Sequence, residues 1–258
     1  MRKLLYLLLF LLLIQFTAFA AKPFRFVLFT DLHVSVSKPQ NAEDLQLAVN
    51  EVNATDGINF VLIAGDDSDL GDTISLKIAR KILSGLKVPY YITSGNHDTN
   101  QGRIGSANFI RVFGSDKFSF TSNGYQFIGF PTGPEKVGSI GHIYADDLSF
   151  VKTVLEKTGK SLPTFIVTHY PFLPGDVDNR KDMTELLKSY NVKAFLNGHY
   201  HRNVLLNYSG YPGIVNRSIL RGKSAVGGYS IYSVSDSVTV SEKRIGEQPE
   251  VWLTLPLE

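Results

Sequence analysis

Asp31 and His33 in a DLH triplet, Asp66 in GDDSD, Asn96 in GNHD, His169 in THY, and His199 and His201 in GHYH are seven side chains able to ligate a metal. The chain holds six histidines, and five of them (His33, His97, His169, His199, His201) stand in these motifs, leaving only His142 outside. There is no cysteine, so thiolate ligation and disulfides are excluded and any metal must accept oxygen and imidazole donors. Taken singly, an Asp or His of this kind reads equally well as a cap or a turn former. Five motifs together predict the chemistry of a two-metal site.

The elements that must position these residues are legible as apolar runs. FRFVLFT leads into Asp31, INFVLIAG into Asp66, PYYITSG into Asn96, PTFIVT into His169, and VKAFLN into Gly198 and His199. Runs of β-branched and aromatic residues of this length read as strands buried on both faces. In an open α/β sheet the loops at the carboxyl ends of the strands share one crevice, so ligands far apart in sequence can meet there. Between them, Asn41 to Ala54 reads as a crossover helix through Leu45, Val49 and Val52. A second helix covers Ile74 to Leu86, with Ile74, Ile78, Ile82 and Leu86 at every fourth position. Asp146 to Thr158 (Leu148, Val151, Leu155) and Met183 to Tyr190 read as two more. Short antiparallel strands are expected at Lys117 to Phe120 and Tyr125 to Phe130 across a Ser122-Asn123-Gly124 turn, and at Gly228 to Val234 and Val238 to Arg244.

At 258 residues the chain suits one large α/β domain from residue 21 onward. Residues 1 to 20 carry Arg2 and Lys3, then LLYLLLFLLLI, then Ala18-Phe19-Ala20, the three regions of a cleavable signal peptide. The same stretch is near the length of an uncleaved membrane anchor. Cleavage predicts a periplasmic or secreted protein without stable membrane insertion. Loss of Arg2 and Lys3 takes the 26 basic residues to 24 against 24 acidic ones. A formally neutral chain gives no global sign of a nucleic-acid or anionic-membrane partner.

The set DLH, GDDSD, GNHD, a lone strand-end histidine and GHYH closely resembles the calcineurin-like metallophosphoesterase superfamily, with motifs from residue 31 to residue 201. The resemblance implies a four-layer αββα sandwich of mixed sheets with the dimetal site at the strand carboxyl ends. It implies one divalent ion on Asp31, His33, Asp66 and His201 and a second on Asp66, Asn96, His169 and His199, with Asp66 as the bridge. It further implies that a hydroxide between the ions attacks phosphorus, that His97 protonates the leaving group or binds phosphate, and that Asp69 orients His97. Mn²⁺, Fe²⁺ and Zn²⁺ all accept such a donor set.

Two departures narrow the function. The phosphoprotein phosphatases of this superfamily have Arg where this chain has Leu70, and purple acid phosphatases have a ligating Tyr at the place of Ser68 or Asp69. The expected activity is therefore hydrolysis of a small-molecule phosphate ester, diesters being favoured over monoesters. Two rivals are a non-catalytic binding module on the same fold, which would not need all seven ligands, and a nuclease, which would need a basic groove. Arg103, Arg180, Arg217, Arg221 and Lys223 are candidates to bind substrate, and Tyr170 and Tyr200 to stack on it. Asp67 and Asp72 read as caps, Asp98 as a cap or a support for the metal shell, and His142 as an ordinary loop residue. The sequence leaves the oligomeric state open.

Overall fold

Alternation along the central strands decides the architecture. In the computed structural model, which describes residues 22–99, 106–133, 140–222 and 226–257, β1 (Phe24–Phe29) turns Val27 and Phe29 to one face and Phe24, Phe26 and Leu28 to the other. Strand β2 (Ile58–Ala64) does the same with Val61 and Ile63 against Phe60, Leu62 and Ala64. Both faces of such strands must be covered. The first is covered by helices α1 (Pro39–Asn53) and α2 (Thr73–Leu83), through Leu45, Ala48, Val49, Val52, Leu76, Ala79 and Leu83.

The second face meets another sheet. Strands β5 (Tyr125–Gly129), β6 (Thr164–Val167) and β7 (Val192–Asn197) contribute Phe127, Phe165, Val167, Ala194 and Leu196 to the shared core. Phe26 spans this layer, 5.4 Å from Phe127 edge to face and stacked at 4.6 Å on Tyr232. On their outer face Ile128, Ile166 and Phe195 pack with Val151 and Leu155 of α5 (Ala145–Thr158) and Met183 and Leu187 of α6 (Arg180–Leu187). Three cores separate four layers, helices, sheet, sheet, helices, which is the sandwich that the motifs imply.

Beside β3 (Tyr90–Thr93), the first sheet runs in the order β12-β11-β10-β1-β2-β3, with β10 (Gly228–Val234), β11 (Ser237–Arg244) and β12 (Glu250–Pro256) antiparallel and β1, β2 and β3 parallel. The second runs β4-β5-β6-β7-β9-β8, where β4 (Phe118–Ser122), β8 (Val204–Tyr208) and β9 (Tyr211–Val215) complete it and β5, β6, β7 and β9 are parallel. The five ligand-bearing strands are thus divided three and two between sheets, whereas a single open sheet would have kept them together. Short helices α3 (Asn96–Thr99) and α4 (Ala107–Phe113) follow β3.

Some local expectations shift. The buried face of α2 is Leu76, Ala79 and Leu83, while Ile74 is 64 % exposed. Residues strictly four apart drift around a 3.6-residue helix, and the three-then-four series is the one that stays on one face. The β8–β9 hairpin closes through Ser209 and Gly210, both with positive φ. Pro212 and Gly213 disguise β9 as a turn in the sequence, yet Gly213 is required because a Cβ there would overlap the Tyr208 ring. Among the described residues no helix is long and apolar enough to cross a membrane; residues 1–20, expected to be a signal peptide, and Arg103 and Lys223 lie outside them.

Candidate metal centre

The loops leaving β1, β2, β3, β6 and β7 meet at one rim of the two sheets. Asp31, His33, Asp66, His199 and His201 all have positive φ, between 45° and 71°. For residues with a Cβ this left-handed conformation costs about 1–2 kcal/mol each. It persists because the loops lock one another: the Asp31 N–H donates to Gly65 O, His33 N–H to Asp66 O, and Gly198 N–H to His169 O, at 2.9, 2.9 and 3.0 Å. Five strained positions on one rim point to a site whose geometry is imposed by the fold.

The donor atoms converge in groups. Ligand atoms of Asp31, His33 and His201 lie within 4.8 Å of one another, as do those of Asp66, His169 and His199, and those of His33, Asp66 and His97. Asp66 Oδ2 is 3.7 Å from His33 Nε2 and 3.1 Å from His169 Nε2, so one carboxylate oxygen faces both groups. Asp31 Oδ1 is 3.1 Å from His201 Nε2, whose ring nitrogen faces His33 Nε2 at 3.4 Å. Asp31 Oδ1 and Asn96 Oδ1 are buried with no hydrogen-bond partner. Buried acceptors without hydrogen-bond partners and converging imidazoles are what a cation would satisfy, so the donor set fits divalent metal ions.

A second ring of contacts aims these donors. Asp31 Oδ2 accepts from Thr30 Oγ1 at 2.8 Å and from the His199 N–H at 3.1 Å, leaving Oδ1 to the site. Asp66 Oδ1 accepts from the His97 N–H at 2.8 Å. His169 Nδ1 donates to Ala64 O at 2.8 Å, which turns Nε2 toward Asp66 and leaves it able to ligate. Tyr170 packs its ring 4.2 Å from that of His199 and is only 7 % exposed, so it supports a ligand and offers no stacking face. Asp98 accepts from the Asp67, Ser68 and Gly95 N–H groups and from Ser68 Oγ, tying the Asp66 loop to the Asn96 loop. Asn197 does the same on the other sheet, donating to Thr168 Oγ1 at 2.7 Å and Tyr170 O at 3.0 Å on either side of His169. No motif marks Asn197; its place one residue before the GHYH glycine was the available signal.

Two assignments change. His97 Nδ1 donates to the backbone carbonyl of Asp69 at 2.8 Å. The Asp69 carboxylate lies instead 2.9 Å from Lys38 Nζ and 3.5 Å from His33 Nδ1, because the loop presents its carbonyl to His97 and turns its side chain the other way. Asp72 caps α2 through the Ile74 and Ser75 N–H groups. Asp67 does not cap: it is fully buried, and Asp98 takes the loop amides in its place. Burial, with Asp98 and Asp66 close by, pushes the Asp67 carboxyl well above the usual carboxylate range.

Opposed charges set the protonation of the metal-free site. Burial disfavours a charged His169, but Asp66 and Asp31 outweigh it and raise it to about 9. Burial and the neighbouring His169 lower His199 to about 4. Asp31 and Asp66 stay below the usual carboxylate range despite full burial, through His169 and the other imidazoles. The rim is thus an anionic pair of carboxylates inside a ring of imidazoles.

The sequence model of the calcineurin-like phosphoesterase family matches residues 24–203. The chain belongs to that family. This calcineurin-like phosphoesterase is similar in fold to the GAP50 anchor of the inner membrane complex of Plasmodium, at 14 % identity over 92 % of this chain and 89 % of the other, with a TM-score of 0.59. It is similar at the same TM-score to purple acid phosphatase PPD1 from yellow lupin seeds, at 13 % identity, covering 92 % of this chain and 54 % of that one, about half its length. The protein TT1561 of Thermus thermophilus follows at 12 % identity, covering 80 % of this chain and 92 % of the other, with a TM-score of 0.54. No curated protein matches the sequence.

The substrate-binding candidates of this phosphoesterase fare unequally. Arg221 is paired with Asp44 through two contacts of 2.8 and 2.6 Å, Arg217 lies 3.4 Å from Glu242, and Arg180 donates to the Val177 carbonyl of its own turn. None of the three is brought to the rim by these contacts. Arg202, directly after His201, is exposed and lies 5.7 Å over the Tyr200 ring; its adjacency to His201 was the signal for it. The Tyr200 hydroxyl donates to Asp176 at 2.6 Å. His142 pairs with Asp178 at 2.7 Å near the surface, as an ordinary loop residue would.

Proposed function

We propose that this chain is an exported, two-metal phosphoesterase that hydrolyses a small-molecule phosphate ester, diesters before monoesters. The observation that carries the reading is Asp66 Oδ2, which stands 3.7 Å from His33 Nε2 and 3.1 Å from His169 Nε2, while Asp31 Oδ1 and Asn96 Oδ1 are buried without a hydrogen-bond partner. Bound there, divalent ions supply Lewis acidity, activating water and neutralising phosphoryl charge. The chain supplies the rest. Asp31 and Asp66 hold fixed negative charge in a buried rim, and the left-handed loops pre-set its shape before any ligand arrives. His97, with Nδ1 given to the Asp69 carbonyl, offers Nε2 to a phosphoryl oxygen or a leaving group. Exposed Arg202 is placed to attract the ester's charge.

The Plasmodium anchor and the lupin phosphatase share this fold equally, so fold does not separate binding from hydrolysis. A complete donor set favours hydrolysis, since a binding module has no use for two bare buried oxygens. Leu70, in place of an Arg, supports the diester preference, and the balanced charge of the chain supports a small substrate over nucleic acid. Export rests on the Arg2-Lys3, LLYLLLFLLLI and Ala18-Phe19-Ala20 pattern.

The test loads the full chain in turn with Mn²⁺, Fe²⁺ or Zn²⁺ and compares hydrolysis of bis-p-nitrophenyl phosphate with that of the p-nitrophenyl monoester, reading metal per protein on the same samples. About two metals with faster diester cleavage is the expected result. A chain that binds no metal overturns the reading. Mass spectrometry of the exported product should find Ala21 at its start.

A further inference from the structure

Helices α2 and α4, side by side at the edge of the first sheet, carry no acidic residue. Helix α2 brings Lys77, Arg80 and Lys81, and α4 brings Arg111. Among the described residues every other helix contains at least one Asp or Glu. A chain whose basic and acidic residues balance after loss of its leader thus gathers cations on one face.

Asn108 Nδ2 donates to Gly71 O at 3.0 Å and Arg80 to Val112 O at 2.8 Å, so α4 runs alongside α2. Ile74, Lys77 and Lys81 are spaced three and then four apart, which keeps them on one stripe of α2. All three are exposed, as are Arg80, Ile110 and Arg111. Ile74 is 64 % and Ile110 42 % exposed, so two large apolar side chains stand among the cations. The acids around this face are engaged elsewhere. Asp72 accepts from the Ile74 and Ser75 amides and Asp116 pairs with Lys117. On the neighbouring α1, Asp44 pairs with Arg221, Glu51 with Lys243, and Glu43 accepts from Gln40. Residues 100–105, between α3 and α4 in the sequence, add a single charge of the same sign, Arg103.

Long cationic side chains around exposed isoleucines suit a bilayer surface. The apolar groups enter the headgroup region while the ammonium and guanidinium groups meet lipid phosphates. Nucleic acid would gain little from the isoleucines, and Phe109 and Phe113 of α4 are packed into the core, where no base can stack on them.

We propose that the α2–α4 face docks on an anionic phospholipid surface, by adsorption without insertion. The metal rim adjoins one end of this face: a Cβ at Gly71, just before α2, would stand 2.5 Å from the Asp98 carbonyl of the short helix that carries Asn96 and His97. Docking therefore holds the rim close to the headgroup layer. The proposal goes beyond the phosphoesterase reading and does not depend on it.

Cosedimentation of the protein recovered after export with vesicles of phosphatidylglycerol and phosphatidylcholine in about equal parts, and with phosphatidylcholine alone, tests it at about 0.1 M salt. Binding should be about a hundredfold tighter to the anionic vesicles and should weaken as salt rises. Combining Lys77→Gln, Lys81→Gln and Arg111→Gln should remove that preference, at about fivefold for each cation. Ile74→Ser should loosen binding by about fivefold. Lys188→Gln, at the end of α6 in the opposite helical layer, should leave it unchanged. Equal binding to the two kinds of vesicle, or an anionic preference that survives the triple substitution, overturns the proposal. So does tighter binding to an oligonucleotide than to the anionic vesicles, which would reassign the face to nucleic acid.

Discussion

The imidazole of His97 is oriented by the main chain of Asp69, Nδ1 to carbonyl oxygen at 2.8 Å, while the Asp69 carboxylate faces His33. The two functions of one residue can therefore be separated. Asp69→Asn keeps the carbonyl contact but removes the charge beside His33 Nδ1. It should weaken metal binding by about tenfold, in the range of outer partners of a ligating histidine. His97→Ala should instead lower turnover by about 10²- to 10⁴-fold with metal content retained. Metal titration and steady-state kinetics on both variants check this; loss of metal in His97→Ala would make His97 a ligand.

Asp66→Asn should remove both metals together, because one oxygen of this carboxylate faces the His33 and His169 groups alike. Activity should fall more than about a hundredfold, and elemental analysis should find neither ion. A variant that keeps one full equivalent would show that Asp66 does not bridge.

Metal binding should release protons near neutral pH. In the metal-free protein His169 is held up at about 9, above its ordinary 6.5, so its charged form stabilises the metal-free fold below pH 6.5 and that contribution is lost as pH rises through about 9. A ligating imidazole must be neutral, so metal affinity rises over the same window and levels off above it. His199, already lowered to about 4, releases no proton there. Calorimetry at pH 7.5 in two buffers of different ionisation enthalpy should show a proton released, and the release should vanish well above pH 9.

Gly198→Ala should disable the site without touching a ligand. A Cβ at Gly198 would overlap Thr30 Oγ1 and crowd Asp31 Oδ2, the pair that aims Asp31 at His201. The expected outcome is metal affinity lower by at least about tenfold with a fold retained by circular dichroism.

Asp98→Ala should cost stability as well as metal. It strands the Asp67, Ser68 and Gly95 N–H groups in a buried loop, at about 1–3 kcal/mol for each group that finds no new partner. Thermal unfolding of the metal-free variant isolates that loss from any change in metal binding.

Residue type and local period by themselves determined the ligand motifs, the runs that became β1, β2, β3, β6 and β7, and the helices between them, since a doubly covered strand and an amphipathic helix each leave a pattern in adjacent residues. The Asn123-Gly124 turn was legible for the same reason, as both residues tolerate positive φ. Strand β9 was hidden because Pro212 and Gly213 obey a distant demand, room for the Tyr208 ring. What only the tertiary structure decided is non-local: the division of the five strands between two sheets, the left-handed backbone at five of the rim's Asp and His residues, the turning of the Asp69 carboxylate to His33, the burial of Asp67, and the pairing of Arg221 with Asp44 across the chain. Each depends on which loops cross at the rim, and the direction of a side chain there is set by hydrogen bonds to residues about 30 to 180 positions away, which no local pattern encodes.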